Sequence, residues 1–417
     1  MATRRRAGDA DASRVAVVLS GAGARGAFQA GALAELIPQL EAQGATPTVW
    51  LGTSAGSINA ALWGSHAHLG AETAAEEVLA IWRRMSDTDV YRPLLPFSLP
   101  RTALRYAAGA LLGVGSGTPS LLDTGPLRRT AGDELRARQL AANVDAGLLD
   151  AVGVVATRMP GDPDNAIPGA ASGRSVVFLH EHARSGYVGD PDRALDVVRG
   201  RVKADHVVAS SAIPVAFPPV QVHGPREAVG WYIDGGVRLN TPLHPAVGLG
   251  ATRLVVVSAT ATTYAAPLPT PASPSPDIAD AAAQVLNASL ADRTTEDLLA
   301  LRRTNRLVGQ ASALGGAGRL TSSTGRPYRR IEFLTVSPPP GEMGRVASDV
   351  FARRTGGFGR VTEMDNWLVG QALRGAGDGV GRRELLSYLF FDPEYFAAGI
   401  EVGRRAARAA LATGWES

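Results

Sequence analysis

Residues Arg14 to Leu19 form a short apolar run, rich in valine, with no polar alternation. A strand of that kind is buried on both faces, as in a parallel sheet covered by helices. The run meets Ser20-Gly-Ala-Gly-Ala-Arg-Gly26, then an apolar helical pattern through Phe28, Ala32, Leu33, Leu36 and Ile37, with Pro38 near its end. Strand, glycine loop and helix open a doubly wound α/β unit. The pattern repeats when Thr48–Leu51 runs into Gly52-Thr-Ser-Ala-Gly56 and a helix from about Ser57 to Leu62.

Further strands are expected at Ala151–Ala156, Ser175–Leu179, Trp231–Ile233, Leu254–Ser258 and Arg330–Val336. Residues 72–87 read as an amphipathic helix, Ile278–Leu307 as a long one, and the last seventy or so residues as helices. The stretch Pro267–Pro276 reads as a stiff linker, and Gly309–Arg326 as a glycine- and serine-rich loop. Residues 88–122 break the βα alternation with prolines, aromatics and leucines. They read as a cap over an apolar pocket or, equally, as an ordinary pair of core helices.

Hydrophobic residues make up 45% of the chain and charged ones 19%, a globular composition. The net charge is +3 and the signs are interspersed, which argues against a nucleic-acid binder. There is no cysteine, so disulfides, thiolate catalysis and Cys-ligated metals are excluded. The polar start, Met1 to Asp11, does not resemble a signal peptide, and no uncharged run reaches the ~18 residues of a spanning helix. The expectation is a soluble, cytoplasmic protein, with peripheral contact to a membrane as a further option.

Three segments carry chemistry. In Gly52-Thr53-Ser54-Ala55-Gly56 a serine is bracketed by glycines between a strand and a helix, the pattern of a nucleophile elbow. The helix that starts there points its N-terminal amides at the serine and favours negative charge. Its alternative is a plain strand-to-helix turn.

The loop Gly21-Ala22-Gly23-Ala24-Arg25-Gly26 matches the G-x-G-x-x-G of dinucleotide-binding folds. That use wants an acid at the end of the second strand to hold a ribose. Glu41 has nearly the right offset but precedes that strand, and the strand end holds Ser54 instead. The same loop can serve as an oxyanion hole through its backbone N–H groups.

The third segment is Asp234-Gly235-Gly236, after Trp231–Ile233. Alone it is an Asp-Gly turn. No histidine follows His244, whereas a Ser–His–Asp enzyme of the α/β-hydrolase type keeps its histidine late. His244 stays open as a base, but direct proton transfer from Ser54 to Asp234 is the simpler scheme.

The ordered set Gly21-x-Gly-x-Arg-Gly26, Gly52-x-Ser54-x-Gly56 and Asp234-Gly-Gly236, with Ala-Ser-x-Ala-Ile-Pro at 209–214, resembles the patatin-like phospholipase family. The segment Arg382–Asp392 is reminiscent of bacterial members. The resemblance implies a three-layer α/β/α fold with a mainly parallel central sheet. It implies a catalytic domain over 13–265; composition and pattern add the linker 266–277 and a mainly helical region 278–417 packing on the core. It further implies hydrolysis of lipid acyl esters by Ser54 and Asp234, with no metal and no cofactor. Gly21, Ala22 and Gly23 would hold the oxyanion, and Arg25 would stabilise the loop or a phosphate. Ala22 stands where many members carry a third glycine. An acyltransferase with the same dyad, or a nucleotide-binding protein using Gly21–Gly26, are the rival readings.

Overall fold

A computed structural model describes residues 14–93, 122–160, 173–189, 193–214, 216–262, 293–314, 316, 320–322, 325, 327–355 and 380–417. The proposed linker at 266–277 and nearly all of the proposed cap at 88–122 lie outside the described residues.

The chain opens as read. Strand β1 (Val15–Leu19) leads to α1 (Gly26–Ala42), and β2 (Pro47–Thr53) to α2 (Ala55–His66). Then come α3 (Ala71–Arg84), the single turn α4 (Asp87–Val90), and the two-residue strands β3 (Arg92–Pro93) and β4 (Leu122–Asp123). After α5 (Gly125–Glu134) and α6 (Ala137–Asp145), the sheet resumes with β5 (Ala151–Arg158), β6 (Ser175–Glu181) and β7 (Leu195–Arg199). There follow α7 (Ala204–Ser210), β8 (Val220–Val222), β9 (Gly230–Asp234), α8 (Leu243–Gly248) and β10 (Arg253–Val257). The C-terminal part holds α9 (Arg293–Ala313), β11 (Glu332–Val336), α10 (Glu342–Thr355), α11 (Val380–Leu389) and α12 (Pro393–Thr413).

The main sheet runs β11-β10-β1-β2-β5-β6-β7, with β9 pairing β5 and β8 pairing β9. From β11 to β5 every pairing is parallel. Strand β6 then runs antiparallel to β5, and so does β9. Strands β1, β2 and β5 are buried at nearly every residue, because helices cover both faces. One face meets α1, α2, α3 and α12 through Leu33, Leu36, Trp82 and Phe396. The other meets α8 and α9 through Leu243, Leu249 and Leu298. This is a three-layer α/β/α architecture around a mostly parallel sheet.

Helix α1 ends four residues past Pro38, at Ala42, as read, and one expectation needs correction. Helix α9 runs through Gly309 to Ala313, so the expected loop starts later than the glycine and serine content suggests. Tertiary contacts override that local weakness. Asn305 on α9 donates to the Ile331 carbonyl at 2.8 Å and accepts its N–H at 3.0 Å, and Val308 is buried. The sequence reading also missed β7, which shows little alternation, and β8, which is only three residues long.

Candidate active site

Register on β5 brings the two key segments together. Strand β2 climbs beside β5 until Thr53 pairs with Val155. On the same side of β5, β9 descends in the opposite direction until Asp234 pairs with Ala156. Val155 and Ala156 are neighbours, so the ends of β2 and β9 meet head-on. Strand β1 pairs on β2's other side, Leu19 opposite Gly52, which places the Gly21–Gly26 loop beside Ser54.

Between β2 and α2, Ser54 adopts φ 55° and ψ −130°. A positive φ for a residue with a Cβ is strained by about 1–3 kcal/mol and persists only where the surroundings impose it. Here they do. The Ser54 N–H donates to Ser210 Oγ at 2.8 Å, and that hydroxyl donates to the Val155 carbonyl at 2.5 Å. A Cβ on Gly52 would overlap the Gly56 carbonyl, and one on Gly56 would lie 2.5 Å from the Ser20 carbonyl oxygen. The start of α2 therefore packs directly on the end of β1.

Asp234 is buried, its N–H donates to the Ala212 carbonyl at 2.9 Å, and its carboxylate accepts the Gly236 N–H at 2.7 Å. The Ser54 side chain favours the charged form of the same carboxylate. Burial pushes the Asp234 carboxyl up to about 6, against Ser54 and the Gly236 N–H, which favour its charged form. A carboxylate so placed has usable basicity near neutral pH. Gly235 is pressed on the Val155 carbonyl and the Thr53 methyl, with no room for a side chain. Thr53 Oγ1 donates to the Leu239 carbonyl at 3.0 Å, tying the two segments again.

The glycine loop is held by protein on several sides. The Gly21 N–H donates to Asn240 Oδ1 at 2.9 Å, so it is not free for a ligand. The N–H groups of Ala22 and Gly23 have no acceptor among the described residues. Ala22 takes φ −141° and ψ −22°, outside the left-handed region that favours glycine, so the alanine in place of a third glycine is accommodated. A Cβ on Gly26 would strike the Trp82 ring, and one on Gly23 would lie 2.5 Å from the Tyr388 carbonyl oxygen. Two of the glycines thus admit neighbouring protein, where a dinucleotide loop would leave space for pyrophosphate. Glu41, the acid a ribose would need, accepts the Ala71 N–H at 3.1 Å near the far end of α1.

The Arg25 guanidinium is buried and taken up by Ser387, Glu384 and the Ala259 carbonyl. It holds the loop to the C-terminal helices, and no phosphate is needed to satisfy it. His206 stacks on Phe178 with ring centroids 4.1 Å apart, and burial pushes it down to about 4. Burial also lowers His66 and His180. His244 lines a cavity of about 410 Å³ with Ser175, Arg193, Leu195, Val237 and Leu239, at the same sheet end as Ser54. Among the described residues, no group of His, Asp and Glu has the makings of a metal site.

Sequence reasoning singled out the segment that holds Ser210 without giving that residue a role, and it missed Asn240 and a buried network behind the loop. In that network the Trp82 Nε1–H donates to Asn59 Oδ1 at 2.8 Å. Asn59 Nδ2 donates to the Gly26 carbonyl at 3.0 Å and to Gln29 Oε1 at 3.2 Å. Gln29 Nε2 donates to the Ser20 and Val257 carbonyls at 2.8 and 3.2 Å. Asn59 and Gln29 lie on apolar helices, and a polar residue at such a position was the available signal.

No curated protein matches the chain. A solved structure, VipD from Legionella pneumophila, aligns at 12% identity with a TM-score of 0.31, covering 97% of this chain and 67% of that one. The model of the patatin-like phospholipase family matches residues 17–247, from the third residue of β1 to α8 and thus across all three motifs. That match takes in more than half of the sequence, and the chain belongs to the patatin-like phospholipase family.

Proposed function

We propose that this protein is a serine hydrolase of lipid acyl esters, with Ser54 as nucleophile and Asp234 as its base. The observation that carries the reading is the register on β5, which sets Ser54, at the end of β2, against the buried Asp234 carboxylate at the end of β9, a group raised to about 6. In this scheme Asp234 takes the hydroxyl proton as Ser54 Oγ attacks the ester carbonyl carbon. The carbonyl oxygen becomes an oxyanion, held by the N–H groups of Ala22 and Gly23 and favoured by the N-terminus of α2. Collapse expels the alcohol, which takes its proton from Asp234, and leaves an acyl ester on Ser54. Water, deprotonated by Asp234, attacks that ester and frees the acid. Gly21 serves the hole indirectly, through its bond to Asn240. The occupied glycine loop weighs against the nucleotide-binding reading.

Covalent labelling with a fluorophosphonate tests this. Wild type is expected to be labelled at Ser54, Ser54→Ala not at all, and Asp234→Asn at least about a thousandfold more slowly. Persistent labelling of Ser54→Ala would refute the nucleophile, and full ester turnover by Asp234→Asn would refute the base. Product analysis with an added alcohol distinguishes hydrolysis from acyl transfer, since both acceptors compete for the same acyl-enzyme.

A further inference from the structure

Arg25 takes no part in the ester chemistry above, yet its side chain is a charge buried inside the fold. Such a charge is strongly unfavourable unless it is paired and hydrogen-bonded. Its partners come from the far end of the chain. Nε donates to Ser387 Oγ at 2.9 Å, and Nη2 donates to the same oxygen at 2.5 Å and to the Glu384 carboxylate. The guanidinium carbon lies 3.9 Å from the centre of the Tyr388 ring. Glu384, Ser387 and Tyr388 belong to the last two turns of α11, where unpaired carbonyls and the helix dipole favour a cation.

Gly23 rests on the same turn. Its φ is 53°, and a Cβ there would lie 2.5 Å from the Tyr388 carbonyl oxygen. The loop therefore touches α11 twice, by the bare backbone of Gly23 and by the side chain of Arg25. The end of α11 is itself fastened. Tyr395 donates its hydroxyl to the Ser387 carbonyl at 3.0 Å, and Asp392 caps α12 by accepting the Glu394 and Tyr395 N–H groups.

We propose that α11 is a strut for the oxyanion loop, with Glu384, Ser387 and Tyr388 as positioning residues that act through Arg25 and Gly23 on the N–H groups of Ala22 and Gly23. The proposal rests on the reading of Ser54 as nucleophile and of those N–H groups as oxyanion donors. The physical need is clear. Oxyanion donors lower a barrier only if they are in place before the charge develops. A glycine-rich loop left to itself samples many conformations, and the strut removes that freedom.

The test uses the full chain, a short-chain 4-nitrophenyl ester, and rates normalised to fluorophosphonate-labelled Ser54. Ser387→Ala and Glu384→Gln are expected to lower kcat about 10- to 100-fold, as a small misplacement of catalytic groups does, with KM within about twofold of wild type. The pH inflection set by Asp234 is expected to stay near 6, because the dyad is untouched. Ser387→Thr, which keeps the hydroxyl, is expected to restore kcat. Wild-type kcat per labelled serine in both variants, with or without a lower Tm, overturns the proposal and leaves α11 a purely structural element. Absence of labelling at Ser54 in wild type is a different failure, that of the parent reading, and is seen before any variant is compared.

Discussion

At the residue scale, Asp234 sets the strongest expectation. Its carboxyl is raised from 3.8 to about 6 by burial. The folded protein therefore holds this proton at pH values where the unfolded chain has lost it. Stability contributed by the protonated acid is full below about pH 4 and is lost as pH rises through 6. A shift of this size corresponds to about 3 kcal/mol of penalty at neutral pH. Asp234→Asn keeps an acceptor for the Gly236 N–H and removes the charge. It is expected to raise stability at pH 7 by about 1–3 kcal/mol, with the gain vanishing near pH 4. Chemical denaturation at the two pH values checks this, and equal stability at pH 7 would contradict it. As a base the group must be ionised, so kcat/KM of wild type is expected to rise with pH through an inflection near 6.

At the scale of elements, α1, α2 and α3 are joined behind the glycine loop by one polar network rather than by apolar packing alone. Asn59 is its hub, satisfying the Trp82 N–H and the Gly26 carbonyl in a region without water access. Asn59→Ala leaves both unsatisfied. The expected loss is about 2–4 kcal/mol, measured as a lower urea midpoint with an unchanged m-value. Asn59→Asp does not rescue it, because the carboxylate has no donor for the Gly26 carbonyl and brings a charge into the core. A change below about 0.5 kcal/mol in Asn59→Ala would show that the network is dispensable.

At the scale of the molecule, the last helix is part of the core. Helix α12 crosses α1 where Gly31 meets the Ile400 carbonyl and Gly403 meets the Phe28 carbonyl, so the two backbones touch with no side chain between them. Phe396 packs edge-on against Trp82 with ring centroids 5.4 Å apart. The chain end pairs with β11 through Phe333 and Glu416, whose N–H and carbonyl groups exchange hydrogen bonds of 2.8 Å. Deletion of residues 393–417 is expected to leave a chain without a cooperative thermal transition, followed by near-UV circular dichroism. A sharp transition in the shortened chain would show that residues up to 392 form a sufficient core.

The strand–loop–helix opening was legible because unbroken valine runs need a buried parallel sheet and because glycines mark where backbones approach closely. The same local chemistry marked Ser54, since a serine between two such glycines at a strand end has few structural uses. Asp234 was legible only as an Asp-Gly turn with a family likeness. What joins it to Ser54 is the pairing of Thr53 and Asp234 with adjacent residues of β5, a register set across more than a hundred residues. Ser210 and the Arg25 partners Glu384 and Ser387 fall in segments marked only by family likeness and Asn240 in none, because their value lies in buried partners supplied by distant segments. Local pattern thus determined the elements and the turn that carries Ser54. Only the tertiary structure decided which carboxylate is buried beside it, because desolvation belongs to the assembled interior and to no stretch of sequence.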